Sequence, residues 1–355
     1  MPSKRLRVVS RPPVDADAAA APGSGLFGLD TPPDAAEVVV IPVPFEATTS
    51  YGSGASRAPA AVLKASHQVD LLDREHGRPY EAGIAMLPVS RRIQRLSDEA
   101  KTVASPVIRR GSPDPTNPRH SRAIAKVDAA GDMVNDWLRA QAKKHLDAGQ
   151  LVGVLGGDHS TPFGLMAELA ERHPGLGILH VDAHADLRHA YEGFTWSHAS
   201  IMRNVLDRLR GVAKIVQLGV RDFGESELAC IEESGSRLRS FFDADVKRDL
   251  LSGATWDGIA KAAIKQLPKK VHVSIDIDGL DPSLCPHTGT PVPGGLSWAE
   301  LCHLLVLLAE SGKTVIGFDL VEVAPGPRGN DWDANVGART LYKLIGCALR
   351  TRTAR

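Results

Sequence analysis

The chain has 355 residues, 43% of them hydrophobic and 24% charged, with 42 basic residues balancing 42 acidic ones. That is the composition of a folded globular protein, and its zero net charge excludes the electrostatic footprint expected for nucleic acid or an anionic membrane surface. Cys230, Cys285, Cys302 and Cys347 stand without C-x-x-C spacing, which excludes a disulfide framework and a zinc knuckle.

Residues 1–35 are rich in Ala, Pro, Asp and Gly and read as a flexible extension ahead of a single domain over 36–355. The basic start meets Pro12 and Pro13 before any apolar core can build, and no run of about 18 apolar residues follows. A cytoplasmic protein without a membrane span is expected. Short apolar runs predict strands at 38–43, 83–88, 151–157, 176–182, 214–220, 238–244, 270–278 and 314–320. Helical spacing predicts helices at 58–73, 121–149, 161–173, 197–211, 226–234, 256–267, 297–311 and 334–350. The polar, Pro-rich stretch 89–122 reads as a surface loop. Strands apolar on both faces, alternating with helices, predict a parallel sheet covered on both sides. Irregular spacing favours an open sheet over a barrel.

Chemistry collects just after four of these strands. The run at 151–157 leads into Asp158 and His159, and the run at 176–182 into Asp182, His184 and Asp186. Asp276 and Asp278 end the run at 270–278, Asp281 follows it, and Glu322 follows the last strand. Ligands of α/β sheets bind outside the carboxyl ends of strands, so the sheet would gather these groups at one edge. Taken singly, each has a bland reading. GGDHS (156–160) is a strand-to-helix turn with an N-cap, and SIDIDGLDPS (274–283) is a turn. Together they are harder to dismiss. Asp182, Asp186, Asp276 and Asp278 in one cleft would repel strongly unless protonated or neutralised by cations. His159 and His184 beside them point to cations, since imidazole and carboxylate ligate the same divalent metals. Six ligands are too many for one open tetrahedral centre and suit two ions about 3.5–4 Å apart.

The blocks GGDHS (156–160), DAHAD (182–186), SIDIDGLDP (274–282), TGTPVPGGL (288–296) and DLVEVAP (319–325) resemble, in that order, the ureohydrolase family of arginases and agmatinases. The resemblance extends over nearly the whole chain after residue 36. It implies a three-layer α/β/α domain with a largely parallel eight-stranded sheet and a binuclear manganese site. By motif position, His159, Asp182, Asp186 and Asp276 would hold one ion. Asp182, His184, Asp276 and Asp278 would hold the other. Nickel, cobalt and zinc stay open as native metals. Asp158 and Asp281 are read as supporting residues outside the ligand set. Similarity also implies proton transfer by His198. On residues alone, His198 has an equal reading as a helix-start residue packed on Trp196. Family members are often trimers or hexamers, so a homo-oligomer is expected.

The resulting expectation is hydrolysis of a small cationic guanidino compound to urea and an amine, by hydroxide held between two metals. Four carboxylates, two dications and one hydroxide sum to about −1, which favours a cationic substrate. Glu322 could grip the guanidinium through paired, charge-assisted hydrogen bonds. The segment 187–200 lacks the Asn with which arginases read the arginine carboxylate, and this leans toward agmatine. Guanidinobutyrate, arginine and guanidine remain alternatives. A one-zinc deacetylase and a non-catalytic relative are more distant ones.

Overall fold

The computed structural model describes residues 14–353. Eight strands form one sheet: β1 Val38–Val43, β2 Ile84–Met86, β3 Leu151–Gly156, β4 Leu176–Val181, β5 Val212–Leu218, β6 Leu238–Phe241, β7 Lys270–Asp276 and β8 Thr314–Val321. Their order is β2-β1-β3-β8-β7-β4-β5-β6, and every neighbouring pair is parallel. The helices are α1 Ala58–Ser66, α2 Arg91–Ile108, α3 Pro118–Asp147, α4 Phe163–Arg172, α5 Ile201–Arg208, α6 Glu225–Glu233, α7 Asp243–Leu251, α8 Trp256–Gln266, α9 Trp298–Glu310 and α10 Trp332–Thr353.

Alternate strand residues feed two separate cores. Ile41, Val43, Val152, Val154, Ile178 and Ile215 pack with α2, α3, α4 and α5 on one face. Val38, Val40, Leu179, Val181, Val216, Leu218, Val273 and Phe318 pack with α1, α8, α9 and α10 on the other. This is the expected three-layer α/β/α fold, and its eight strands fall where apolar runs stand in the sequence. Because strands are period-two objects, residues apolar at both parities bury both faces.

Two expectations need correction. The stretch 89–122 is not a loop: α2 spans Arg91–Ile108, capped by the Ser90 hydroxyl accepting from the Ile93 amide, and α3 already begins at Pro118. Ile93, Ser97, Ala100, Ala104 and Val107 give α2 a buried face at helical spacing. A short helix, α7, directly follows β6 where the strand was expected to continue to 244. Within the expected flexible extension, Leu26, Phe27 and Leu29 are buried, with the Phe27 ring 4.7 Å from that of Tyr342. Burying three large apolar side chains offsets the ordering entropy there. The first 13 residues lie outside the described residues.

The consequence for function is positional. β3, β8, β7 and β4 are adjacent at the centre of the sheet, so the residues leaving their carboxyl ends converge. Close approach demands glycine at two of these exits. A Cβ on Gly157 would fall 1.8 Å from the Phe45 carbonyl oxygen, and one on Gly279 would fall 2.6 Å from the Asp182 amide nitrogen.

Candidate metal centre

His159 leaves β3 and enters the cleft with its ring 1% exposed. Its Nδ1 lies 2.9 Å from Asp182 Oδ2, 3.1 Å from Asp186 Oδ2 and 3.2 Å from Asp276 Oδ2. None of these contacts has hydrogen-bond geometry, and Nδ1 is a buried atom without a partner. The other ring nitrogen explains why. Nε2 lies 3.0 Å from Ser274 Oγ, whose own hydroxyl donates to Asp319 Oδ1 at 2.8 Å. Ser274 therefore accepts from the His159 Nε2–H, and Nδ1 faces three carboxylate oxygens that, against its burial, push the ring well above the usual imidazole range. So many acceptor oxygens around one buried nitrogen call for positive charge among them, whether from protons or from a bound cation.

The second half of the cluster repeats the pattern. His184 Nδ1 lies 3.1 Å from Asp278 Oδ2 and 3.5 Å from Asp182 Oδ1. Side-chain exposure is 23% for His184 and only 1–6% for the aspartates meeting His159 and His184, so the cluster opens at the histidine. Backbone amides steer the carboxylates. Asp182 Oδ1 accepts from the His184 amide at 2.6 Å, Asp276 Oδ1 from Asp278 at 2.9 Å and Asp278 Oδ1 from Ala183 at 3.1 Å. Asp186 adopts a left-handed backbone, φ 56°, which Asp tolerates better than bulkier residues. All six side chains singled out in the sequence thus meet in one place.

Charge follows from this geometry. Burial, with Asp278 and Asp182 alongside, pushes Asp276 well above the usual carboxylate range. Burial and Asp182 likewise raise Asp186. Against its burial, Asp278 and Asp182 push His184 up to about 12. In the absence of metal, protons do what cations would do. The donor set, carboxylate oxygen with imidazole nitrogen and no sulfur, fits divalent ions such as manganese.

Glu322 sits just beyond β8 with a left-handed backbone, φ 60°. Its Oε1 accepts from the His159 amide at 2.9 Å, while Oε2 is buried without a partner. Burial together with Asp276 and Asp158 raises its pKa well above the ordinary value. A carboxylate with one oxygen fixed and the other open suits a cationic donor.

His198 opens a short 3-10 turn before α5. Its Nδ1 lies 3.2 Å from Thr48 Oγ1, and its ring is edge-on to Tyr191 at 5.8 Å. Burial, with His184 and His159 nearby, pushes it down to about 4, so it is a neutral imidazole at pH 7. Trp196 packs elsewhere, against Phe163 at 4.8 Å, with its indole N–H on Asp132. Asp158 orders the turn rather than His159: it accepts from the Ser160 and Ala47 amides. Asp281 accepts from the Ser283 amide as a turn residue.

The sequence reading missed the layer beneath the ligands. Ser274 and Asp319 hold His159, His272 Nε2 meets Asp319 Oδ2 at 2.6 Å, and His180 Nε2 meets Asp182 Oδ2 at 2.8 Å. Their signal was a polar residue inside an otherwise buried strand, two of them, His272 and Ser274, in β7.

Comparison with known proteins agrees with this geometry. The model of the arginase family matches residues 36–347. An N(1)-aminopropylagmatine ureohydrolase of Thermus thermophilus is 32% identical over 323 residues, covering 90% of this chain and 94% of its own length. An agmatinase of Bacillus anthracis is 30% identical over 295 residues, 81% of this chain and 84% of that one. The solved arginase of Bacillus caldovelox superposes with a TM-score of 0.62 at 25% identity, over 87% of this chain and 98% of that one. On these matches the chain is a member of the arginase family, the ureohydrolases.

Proposed function

We propose that this protein hydrolyses a guanidino compound bearing a distal amine, of the agmatine class, to urea and a di- or polyamine. Two divalent ions, manganese in the first instance, would be held by His159, Asp182, Asp186 and Asp276 and by Asp182, His184, Asp276 and Asp278. Asp182 and Asp276 would serve both. The observation that carries the reading is the buried Nδ1 of His159, which faces three carboxylate oxygens without a hydrogen-bond partner. Substrate class is supported by two relatives at 30–32% identity named for agmatine and aminopropylagmatine. A location in the cytoplasm and a trimer or hexamer belong to the same proposal and rest on the resemblance. No helix of the described residues is long and apolar enough to cross a membrane.

When bound, such a pair of ions supplies hydroxide at neutral pH. The chain's own residues do the rest. Glu322 Oε2 accepts from the guanidinium, whose positive charge satisfies an otherwise partnerless buried oxygen. The Oε1 bond to the His159 amide fixes the plane of that carboxylate, and hence the approach of the guanidinium carbon. His198, neutral and tied to Thr48, takes a proton and passes it to the departing amine.

The test is urea release from agmatine, N(1)-aminopropylagmatine, arginine, guanidinobutyrate and guanidine, with manganese and after chelation. The expected result is release from the amine-ended compounds that chelation abolishes and manganese restores. Release that survives chelation, or no release from any member, overturns the reading.

A further inference from the structure

The site rests on a polar row that crosses a mostly apolar sheet. Ser240 of β6, Gln217 of β5, His180 of β4, Ser274 of β7 and Asp319 of β8 stand in register on neighbouring strands. In-register residues of parallel neighbours share a face. His180, Gln217, Ser274 and Asp319 are 0% exposed and Ser240 is 6% exposed. Buried polar groups at that depth are costly unless every donor finds an acceptor.

The Ser240–Gln217–His180 half of the row is fully connected, and its direction can be assigned. Gln217 Nε2 lies 2.8 Å from the Ala185 carbonyl oxygen, which can only accept, so this atom is the amide nitrogen. The same nitrogen lies 3.0 Å from His180 Nδ1, and Ser240 donates to Gln217 Oε1 at 2.6 Å. His180 Nδ1 is therefore an acceptor, and the ring proton resides on Nε2. That proton points at Asp182 Oδ2, 2.8 Å away. His180 belongs to a group of possible metal ligands with His159, Asp182 and Asp186, whose ligand atoms lie within 4.8 Å of one another. With its lone pair committed to Gln217 and its proton to Asp182, it has no electron pair to offer an ion.

From this we infer that His180 is a positioning residue. Its N–H fixes the carboxylate of Asp182, which with Asp276 would serve both ions, and Gln217 anchored by Ala185 and Ser240 selects the tautomer that makes this possible. The inference rests on the binuclear reading of the site, and it concerns metal affinity rather than turnover. Outer groups of this kind shift metal affinity by about 10–100-fold.

The test compares His180→Met with His180→Gln in the full chain. Methionine fills the space without a donor, whereas the glutamine amide nitrogen can reach the place of Nε2 and restore the bond. Manganese affinity is read from the free Mn(II) EPR signal during titration, with thermal unfolding of the metal-free proteins alongside. We expect His180→Met to bind at least one ion about 10–100-fold more weakly. His180→Gln should stay within about threefold of the parent, and the metal-free forms should unfold at similar temperatures. Equal affinity in His180→Met and the parent overturns the proposal, as does equal weakening in both variants. If His180→Met fails to fold, long-range 15N–1H NMR on the zinc-loaded parent decides. A proton on Nε2 supports the assignment, and a proton on Nδ1 overturns it. Absence of urea release with both ions bound would refute the hydrolase reading while leaving these metal measurements intact.

Discussion

Two sets of buried carboxylates in this molecule differ in what neutralises them. Glu46 is 1% exposed and accepts from the Gly54 and Ser56 amides, the Thr49 hydroxyl and the Lys101 ammonium. Glu168 meets Arg139 at 3.0 Å and Arg172 at 2.8 Å, and Asp73 meets Lys343 at 2.9 Å. Burial opposes ionisation in all three, yet these partners hold each pKa below its usual value. Asp276, Asp186 and Glu322 are as deeply buried, but among the described residues no lysine or arginine pairs with them, and their pKa values are raised. The first set is complete as folded. The second has no lysine or arginine to complete it, and under the proposed function added positive charge would go to the ends of β3, β4, β7 and β8.

The largest effect that could break this contrast comes from deleting a carboxylate of the second set. Asp276→Ala should lose both ions by metal analysis. Urea release should fall by at least about 10³-fold, the equivalent of about 4 kcal/mol of transition-state stabilisation. Retention of two ions would show that Asp276 is not shared between them. Next in size is Glu322→Gln. It keeps an acceptor for the His159 amide but removes the charge opposite the substrate cation. A charge-assisted hydrogen bond is worth about 1.5–3 kcal/mol, so kcat/KM should fall by about 10–100-fold with metal content unchanged.

The first set makes the opposite prediction. Lys101→Met leaves Glu46 buried without its ammonium partner. The lysine is 40% exposed, so the cost should be modest, about 1–3 kcal/mol in chemical denaturation, with manganese affinity near that of the parent. Pairing it with Glu46→Gln should recover part of the loss, because the uncompensated charge is then gone. A Lys101→Met protein that fails to bind manganese would erase the distinction between the two sets.

The same contrast explains how far the sequence could be read. Asp182, Asp186, Asp276 and Asp278 were conspicuous because aspartate is disfavoured in strands and like charges side by side repel. Their convergence followed from a parallel sheet, whose strands announced themselves by burial on both faces. Support beneath the site was quieter. Gln217, Ser274 and Asp319 are buried polar residues among mostly apolar strand neighbours, and only the register across five strands aligns the row to which they belong. Register between distant strands is not a local property. Helix α2 was hidden for another reason. Its buried face is built partly from Ser97, Ala100 and Ala104, whose small side chains give a weak periodic signal, and Pro106 lies inside it. Leu26, Phe27 and Leu29 were masked by the Gly and Pro around them, although their burial ties that segment to α1 through the Phe27 amide and the Ser66 hydroxyl.

The smallest expected effect is in the pH dependence of stability, and its sign separates the two sets. Groups whose folded pKa is raised keep protons that the unfolded chain has released. Asp186 is pushed up to about 6, and Asp276 and Glu322 are raised with it. His184, raised to about 12, behaves alike at higher pH. Their contribution to the metal-free fold is complete below the ordinary carboxylate range and is lost as pH climbs through the raised values. Glu46, Asp73 and Glu168 act oppositely, contributing above their usual pKa and failing in acid. The metal-free protein carries both trends, so its own curve is a poor discriminator. The difference between manganese-loaded and metal-free protein isolates the second set, because bound dications take the place of those protons. That difference in unfolding temperature should widen from pH 5 to pH 7.5, by a few degrees at about 1–2 °C per kcal/mol for a chain of this length. A gap that stays constant would mean that ions bind without displacing protons, and hence that the buried acids are not what they bind to.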